Sequence, residues 1–335
     1  MSDSYAVEQV ALDGHTVYVL RDRDSGSEAQ ILPSLGANCF SCRLGLGGRR
    51  LDVLESPPDL KTLAQRPSGF GYPILFPFPN RVRGGRFTFE GRSYQMDVPE
   101  PGGNTIHGFV LSRPWTVVRA DDADGASLTV EYLSEEHPEV IRQYPFPFRA
   151  RATYGLRDSA LTLNFFGENL GASRMPVGYG VHPYFRAPLV PGGDPAQCRV
   201  RVPVRKMWEL QDLLPTGRLL PADGDNDLLS GRPLSGRGFD SVFTDVVRDP
   251  DGLIRCVLAD RTAGVELVVE SEGPFREIVV YTPPGRAAIC FEPYTCTTDA
   301  FNLQGRGVDA GLVVLGPGES LSATVRVIIR ELNET

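Results

Sequence analysis

His15-Thr16-Val17-Tyr18-Val19-Leu20 alternates along its length with a period of two. An extended chain turns successive side chains to opposite faces, so this alternation predicts a half-buried strand. Gln30-Ile-Leu, Cys39-Phe-Ser-Cys-Arg-Leu and Arg50-Leu-Asp-Val-Leu repeat the pattern between glycine-rich breaks and predict an antiparallel series. Hairpins are expected over residues 86–95, over 115–133 with a break at Asp124-Gly125, and over 149–169 with a break at Arg157-Asp158-Ser159. A strand over 198–210 leads into a Gly/Asp/Pro-rich loop over roughly 211–238, long enough to suggest a functional loop on a rigid sheet. Further strands are expected at 241–247, 253–259, 265–271, 277–282, 287–292, 312–315 and 321–332. Residues 57–66 are the best helix candidate, with Leu60, Leu63 and Ala64 on one side. The total is roughly eighteen strands against one or two short helices, without a long linker or repeat, and predicts one large all-β, sandwich-type domain over residues 1–335.

Composition agrees with that class. The chain has 335 residues with 36 glycines, 28 prolines, 17 phenylalanines and 11 tyrosines, which suits many short strands joined by tight turns. A net charge of −8 argues against nucleic acid or an anionic membrane surface, both of which call for a basic face. A neutral small molecule is the expected partner. Met1-Ser-Asp-Ser-Tyr lacks a basic, apolar leader and no run approaches about 18 apolar residues, so a cytoplasmic protein is expected. Its assembly is expected to be a monomer or a homodimer.

Six cysteines are too sparse for a disulfide framework. Cys39-Phe-Ser-Cys42 has metal-binding or redox spacing, but no second C-x-x-C completes a zinc site. In an extended run these two thiols point to opposite faces, so strand packing is expected, with neither metal nor cofactor.

Candidate chemistry gathers around prolines. In Val177-Gly-Tyr-Gly-Val-His182-Pro-Tyr-Phe185, the proline restricts the backbone before it to extended geometry and removes an amide donor, which suits a strand end. Gly178 and Gly180 permit close approach of a chain or ligand. Phe291-Glu292-Pro293-Tyr294 repeats the device with a carboxylate. An acid–base pair on stiffened backbone is what proton-transfer catalysis requires. Upstream, three prolines carry an apolar run to Asn80-Arg81, and His107 sits in Asn104-Thr-Ile-His-Gly-Phe. Asp240 closes the long loop, while Tyr179, Tyr184 and Phe185 are candidates to stack on a ligand, with core packing expected for at least one. His15 and His137 read as surface residues.

The ordered series PFPNRVRGGRFTFEGRSY, NTIHGF, GYGVHPYF, FDSVF and ICFEPYT…DAFN, from about Gly69 to Asn302, resembles the aldose 1-epimerases, the galactose mutarotase family. The resemblance implies a β-supersandwich that interconverts the α and β anomers of a free aldose without cofactor or metal. It implies Glu292 as general base, His182 as general acid, and His107, Arg81 and Asp240 on the sugar, with His107 also in the catalytic set; Asn80 and Tyr184 complete the expected binding surface. Gly108 is followed by Phe109 where galactose mutarotases commonly have a second glycine, so galactose itself is not implied. Proximity of Glu292 and His182 predicts a carboxylate–imidazolium pair. Alternatives are a hexose-6-phosphate 1-epimerase using Arg83 and Arg86, a glycoside hydrolase pairing Asp240 with Glu292, and a non-catalytic sugar-binding domain.

Overall fold

The computed structural model describes residues 4–234 and 238–332. Residues 1–3, part of the N-terminal stretch considered above, and 235–237 of the expected long loop lie outside it. Among the described residues the chain is mostly strand with three short α-helices, Leu60–Gln65, Pro138–Gln143 and Ala300–Gly305. The all-β supersandwich expected from the resemblance is the architecture observed.

Two large antiparallel sheets dominate. A nine-stranded sheet is centred on Phe148–Arg157, Ala160–Asn169, Ser320–Glu331 and Val265–Glu272. An eight-stranded sheet contains Val204–Gln211, Asp240–Val246, Glu277–Tyr281 and Ala288–Tyr294, with the short strands Gly180–Val181 and Tyr184–Arg186 both pairing with the last. The first fifty residues form a separate five-stranded sheet, Tyr5–Leu12 through Arg49–Asp52.

Period-two alternation decides what each sheet face meets. In the eight-stranded sheet Phe243, Ile278, Val280, Ile289 and Phe291 join the main core with Leu163, Phe165, Leu267 and Val327 of the nine-stranded sheet. Val242, Val279 and Tyr294 belong to a second apolar cluster on the opposite face. The strand Ala288–Tyr294 is therefore buried on both faces, yet it carries a carboxylate and a proline.

Several expectations change. Among the described residues, twenty-eight strands exceed the roughly eighteen expected, because many are pieces of two to four residues bounded by prolines and turns. The helix read at 57–66 occupies Leu60–Gln65, capped by Asp59 whose carboxylate accepts from the Thr62 amide at 2.6 Å; Leu60 and Leu63 are buried but Ala64 is exposed. Six-residue helices are too short to show a period, which hid the other two. The expected loop at 211–238 contains a strand, Leu214–Pro221, that pairs with Val204–Gln211. His15 and His137 are half-buried rather than superficial, and His137 stacks on Tyr132 with ring centroids 4.5 Å apart.

Cys39 and Cys42 do not face opposite ways. Ile31 pairs with Cys39 and Gln30 with Ser41, leaving Phe40 as the extra residue of a bulge, and both thiols enter the main core. Burial pushes the Cys39 thiol up to about 12, which suits an inert packing group.

Candidate active site

The register of five neighbouring strands builds the site floor. Gly180 pairs with Tyr294 and Tyr184 with Cys290, so the intervening His182 comes opposite Glu292. Glu292 in turn pairs with Val279, and Asp240 with Tyr281 on the next strand. Positions two apart share a face, so Asp240, Tyr281, Glu292, His182 and Tyr184 emerge together. The prolines fit this layout: His182-Pro183 fills the gap between two short strands, opposite Glu292-Pro293, where a continuous ladder would need the missing amides.

Loops supply the walls of an open cleft of about 510 Å³, lined by residues 65–69, Asn80, Arg81, residues 99–101, Ile106 and His107. Arg81 pairs with Ile106 in a two-stranded ladder, and the Asn80 carbonyl accepts from the His107 amide at 2.8 Å. Asn80 (φ 53°) and His107 (φ 64°) both adopt left-handed backbone, which turns their side chains into the cleft. All seven residues expected at the site, His107, His182, Glu292, Asn80, Arg81, Asp240 and Tyr184, line this one cavity. Tyr179 does not: it is buried and stacked on Phe165 with centroids 3.9 Å apart, and Phe185 is likewise core.

His182 Nε2 lies 3.3 Å from Glu292 Oε1. The imidazole stacks on Tyr184 (4.7 Å, 12° between planes), and the Arg286 guanidinium lies 4.8 Å from the other partner of that stack, the Tyr184 ring. His107 meets His182 edge-on at 5.4 Å. Tyr294 donates its phenol to Glu292 Oε2. Glu292 Oε1 and the Nδ1 atoms of both histidines carry no hydrogen bond among the described residues, although all are buried. Orphaned polar atoms on a cleft wall are where a polyhydroxylated ligand finds partners.

Burial opposes the expected carboxylate–imidazolium pair. Desolvation drives His182 down to about 3 and His107 well below its ordinary value. Desolvation also raises Glu292 well above the carboxylate range, against the opposing pull of the Tyr294 hydrogen bond and Arg81. Burial therefore pulls both members of the pair toward their uncharged forms.

Arg81 holds Glu100 through both carboxylate oxygens, Nε at 2.8 and 3.0 Å. Glu100 and Tyr281 line the cleft, and Tyr294 backs it, yet none was singled out from sequence. Tyr294 stands two positions after Glu292 on an expected strand, so alternation alone could have found it. Glu100 sits in a Pro/Gly loop, where no period applies. Arg83 and Arg86 are outside the cleft: Arg83 approaches the buried Asp299 at 3.8 Å and Arg86 bonds Gln95 at 3.2 Å. They are therefore not placed to supply the phosphate contacts that the hexose-6-phosphate alternative needs. His182, Cys290 and Glu292 also form a potential metal-ligand cluster.

A two-sheet β-supersandwich with a histidine–glutamate proton pair at the base of a polar cleft defines the class. Residues 17–327 match the family model described as aldose 1-epimerase, and the chain belongs to that family. A galactose mutarotase-like protein of Clostridium acetobutylicum has a TM-score of 0.90 at 25% identity, covering 98% of this chain and 100% of that one. The galactose 1-epimerase of Lactobacillus acidophilus shares the fold, with a TM-score of 0.76 at 17% identity over 98% and 100%. The uncharacterized protein YihR of Escherichia coli is 22% identical over 72% of this chain and 74% of its own length. No helix among the described residues is long and apolar enough to cross a membrane.

Proposed function

We propose that the protein is an aldose 1-epimerase that opens and recloses the ring of a free aldohexose by general acid–base catalysis. The supporting observation is the His182–Glu292 pair, 3.3 Å apart on a floor whose walls carry hydroxyl-binding groups. Ring opening takes a proton from the C1 hydroxyl and gives one to the ring oxygen. The working base and acid are the Glu292 carboxylate and the His182 imidazolium, a tautomer with the same net charge as the uncharged pair. A C1 hydroxyl donating to Glu292 Oε1 favours that tautomer, because a hydrogen bond to the carboxylate stabilises it. Glu292 then accepts the C1 proton and His182 protonates the ring oxygen. Rotation about C1–C2 and the reverse transfers close the other anomer. His107, Asn80, Arg81 and Asp240 hold the remaining hydroxyls, and Tyr184 offers a flat apolar face.

Polarimetry of freshly dissolved α-glucose, α-galactose and glucose 6-phosphate, with and without the protein, tests the reading. Acceleration for at least one free aldose is expected. Decay at the buffer rate across a broad aldose panel would leave a sugar-binding domain instead. Preference for glucose 6-phosphate would favour the phosphosugar alternative, with Arg66 at the cleft wall as its contact.

A further inference from the structure

We infer that the base of this cleft is also a binding site for a borderline-soft divalent cation, with zinc the best fit, and that occupancy silences the proton pair. One ligand atom each from His182, Cys290 and Glu292 lies within 4.8 Å of the other two, and all three side chains are buried. The register explains the grouping: Cys290 and Glu292 are two apart on one strand, and His182 is opposite Glu292 on the next. Zinc bound at about 2.0–2.3 Å to N, O and S places those atoms roughly 3.3–3.7 Å apart in a tetrahedron. The His182 Nε2–Glu292 Oε1 distance of 3.3 Å already meets that spacing.

Donor chemistry and charge also agree. Thiolate, imidazole and carboxylate form a set that zinc prefers over magnesium or calcium. Binding displaces the thiol proton of Cys290, and any proton held between Glu292 and His182, to solvent. A dication with one thiolate, one carboxylate and a neutral imidazole is then electroneutral, which suits a buried site. Tyr294, donating to Oε2, orients the carboxylate and leaves Oε1 toward the cation, as second-layer groups do in metal sites. His182 and Glu292 line the cleft, so the fourth position opens to water or a sugar hydroxyl. Such a cation occupies both atoms through which the proton must pass, so it blocks ring opening rather than assisting it. This inhibitory half rests on the proposed function, whereas the binding half does not.

The test uses the full chain after chelator treatment. Cobalt(II), as a spectroscopic stand-in for zinc, should give one tightly bound ion per chain with a thiolate-to-metal charge-transfer band, and zinc should displace it. Cys290→Ser should abolish the band and weaken zinc at least tenfold while retaining mutarotation. Zinc should inhibit the wild type competitively with sugar and hardly affect Cys290→Ser. Should Cys290→Ser fail to fold, Glu292→Gln is read by cobalt binding alone, with at least tenfold weakening expected. A band that survives Cys290→Ser, or unchanged affinity in folded Glu292→Gln, would place the ion elsewhere and overturn the site. Binding as expected in a protein that accelerates no aldose would keep the metal site and reject the epimerase reading. Inhibition undiminished in Cys290→Ser would reject the cation's link to catalysis.

Discussion

Tyr294 donates its phenol to Glu292 Oε2 from two positions along the same strand, while its ring lies against Gly180 of the neighbouring strand. The hydrogen bond pulls the Glu292 carboxyl down against burial. Tyr294→Phe keeps the ring and removes the bond, so it should raise the Glu292 pKa further. The working base becomes harder to form: turnover should fall roughly 10- to 100-fold, consistent with losing about 1.5–3 kcal/mol of a bond to a charged group, with KM little changed. The limb of the pH–rate profile that follows Glu292 should move to higher pH. A polarimetric profile unchanged from wild type would remove Tyr294 from the mechanism.

Glu292→Gln and His182→Asn should each lower turnover by roughly 10²–10⁴-fold, because each removes one end of the proton path. The two act in one transfer, so the double variant should lose less than the product of the single losses. Circular dichroism establishes folding, and sugar binding by calorimetry should persist. Near-wild-type turnover in folded Glu292→Gln would eliminate the pair.

Gly180→Ala tests the close approach that seats Tyr294. A Cβ on residue 180 would stand 2.2 Å from Tyr294 Cδ1. Overpacking of this kind destabilises by about 1–3 kcal/mol, and the ring cannot retreat without leaving Glu292. Chemical denaturation should show that loss together with reduced turnover. Full stability with full activity would show that the ring has room to move.

Glu277 governs a predicted alkaline weakness outside the cleft. Burial raises its carboxyl to about 8, although Trp208 donates to it at 3.0 Å. A carboxyl raised on folding favours the folded state most at pH below its unfolded value, and that contribution fades as pH rises through about 8. Wild-type Tm should therefore fall between about pH 5 and 8 and level off above, while Glu277→Gln, which has nothing to ionise, should lose less. Parallel Tm curves for the two proteins would contradict this assignment.

Much of the fold was legible because sheets write a local code. Alternation at His15–Asp22 and in the hairpins at 149–169 recurs as observed strands, since a half-buried strand imposes its period on its own residues. The bulge at Phe40 was not legible, because an extra residue depends on the partner strand, and it reversed the facing expected of Cys39 and Cys42. Glu100 was hidden for a related reason: its role comes from Arg81, nineteen residues away, and not from its loop.

Sequence alone established the β class, the family resemblance, and the identities of His182 and Glu292 as residues on proline-stiffened backbone. Those properties reside in local covalent geometry and in the order of motifs. Protonation belonged to tertiary structure. Two groups read as an ion pair are pulled toward their uncharged forms when the surrounding strands and loops exclude water from them, and desolvation is a property of everything packed around a side chain. The same holds for Cys290, an ordinary strand residue until the register sets its thiol beside the proton pair.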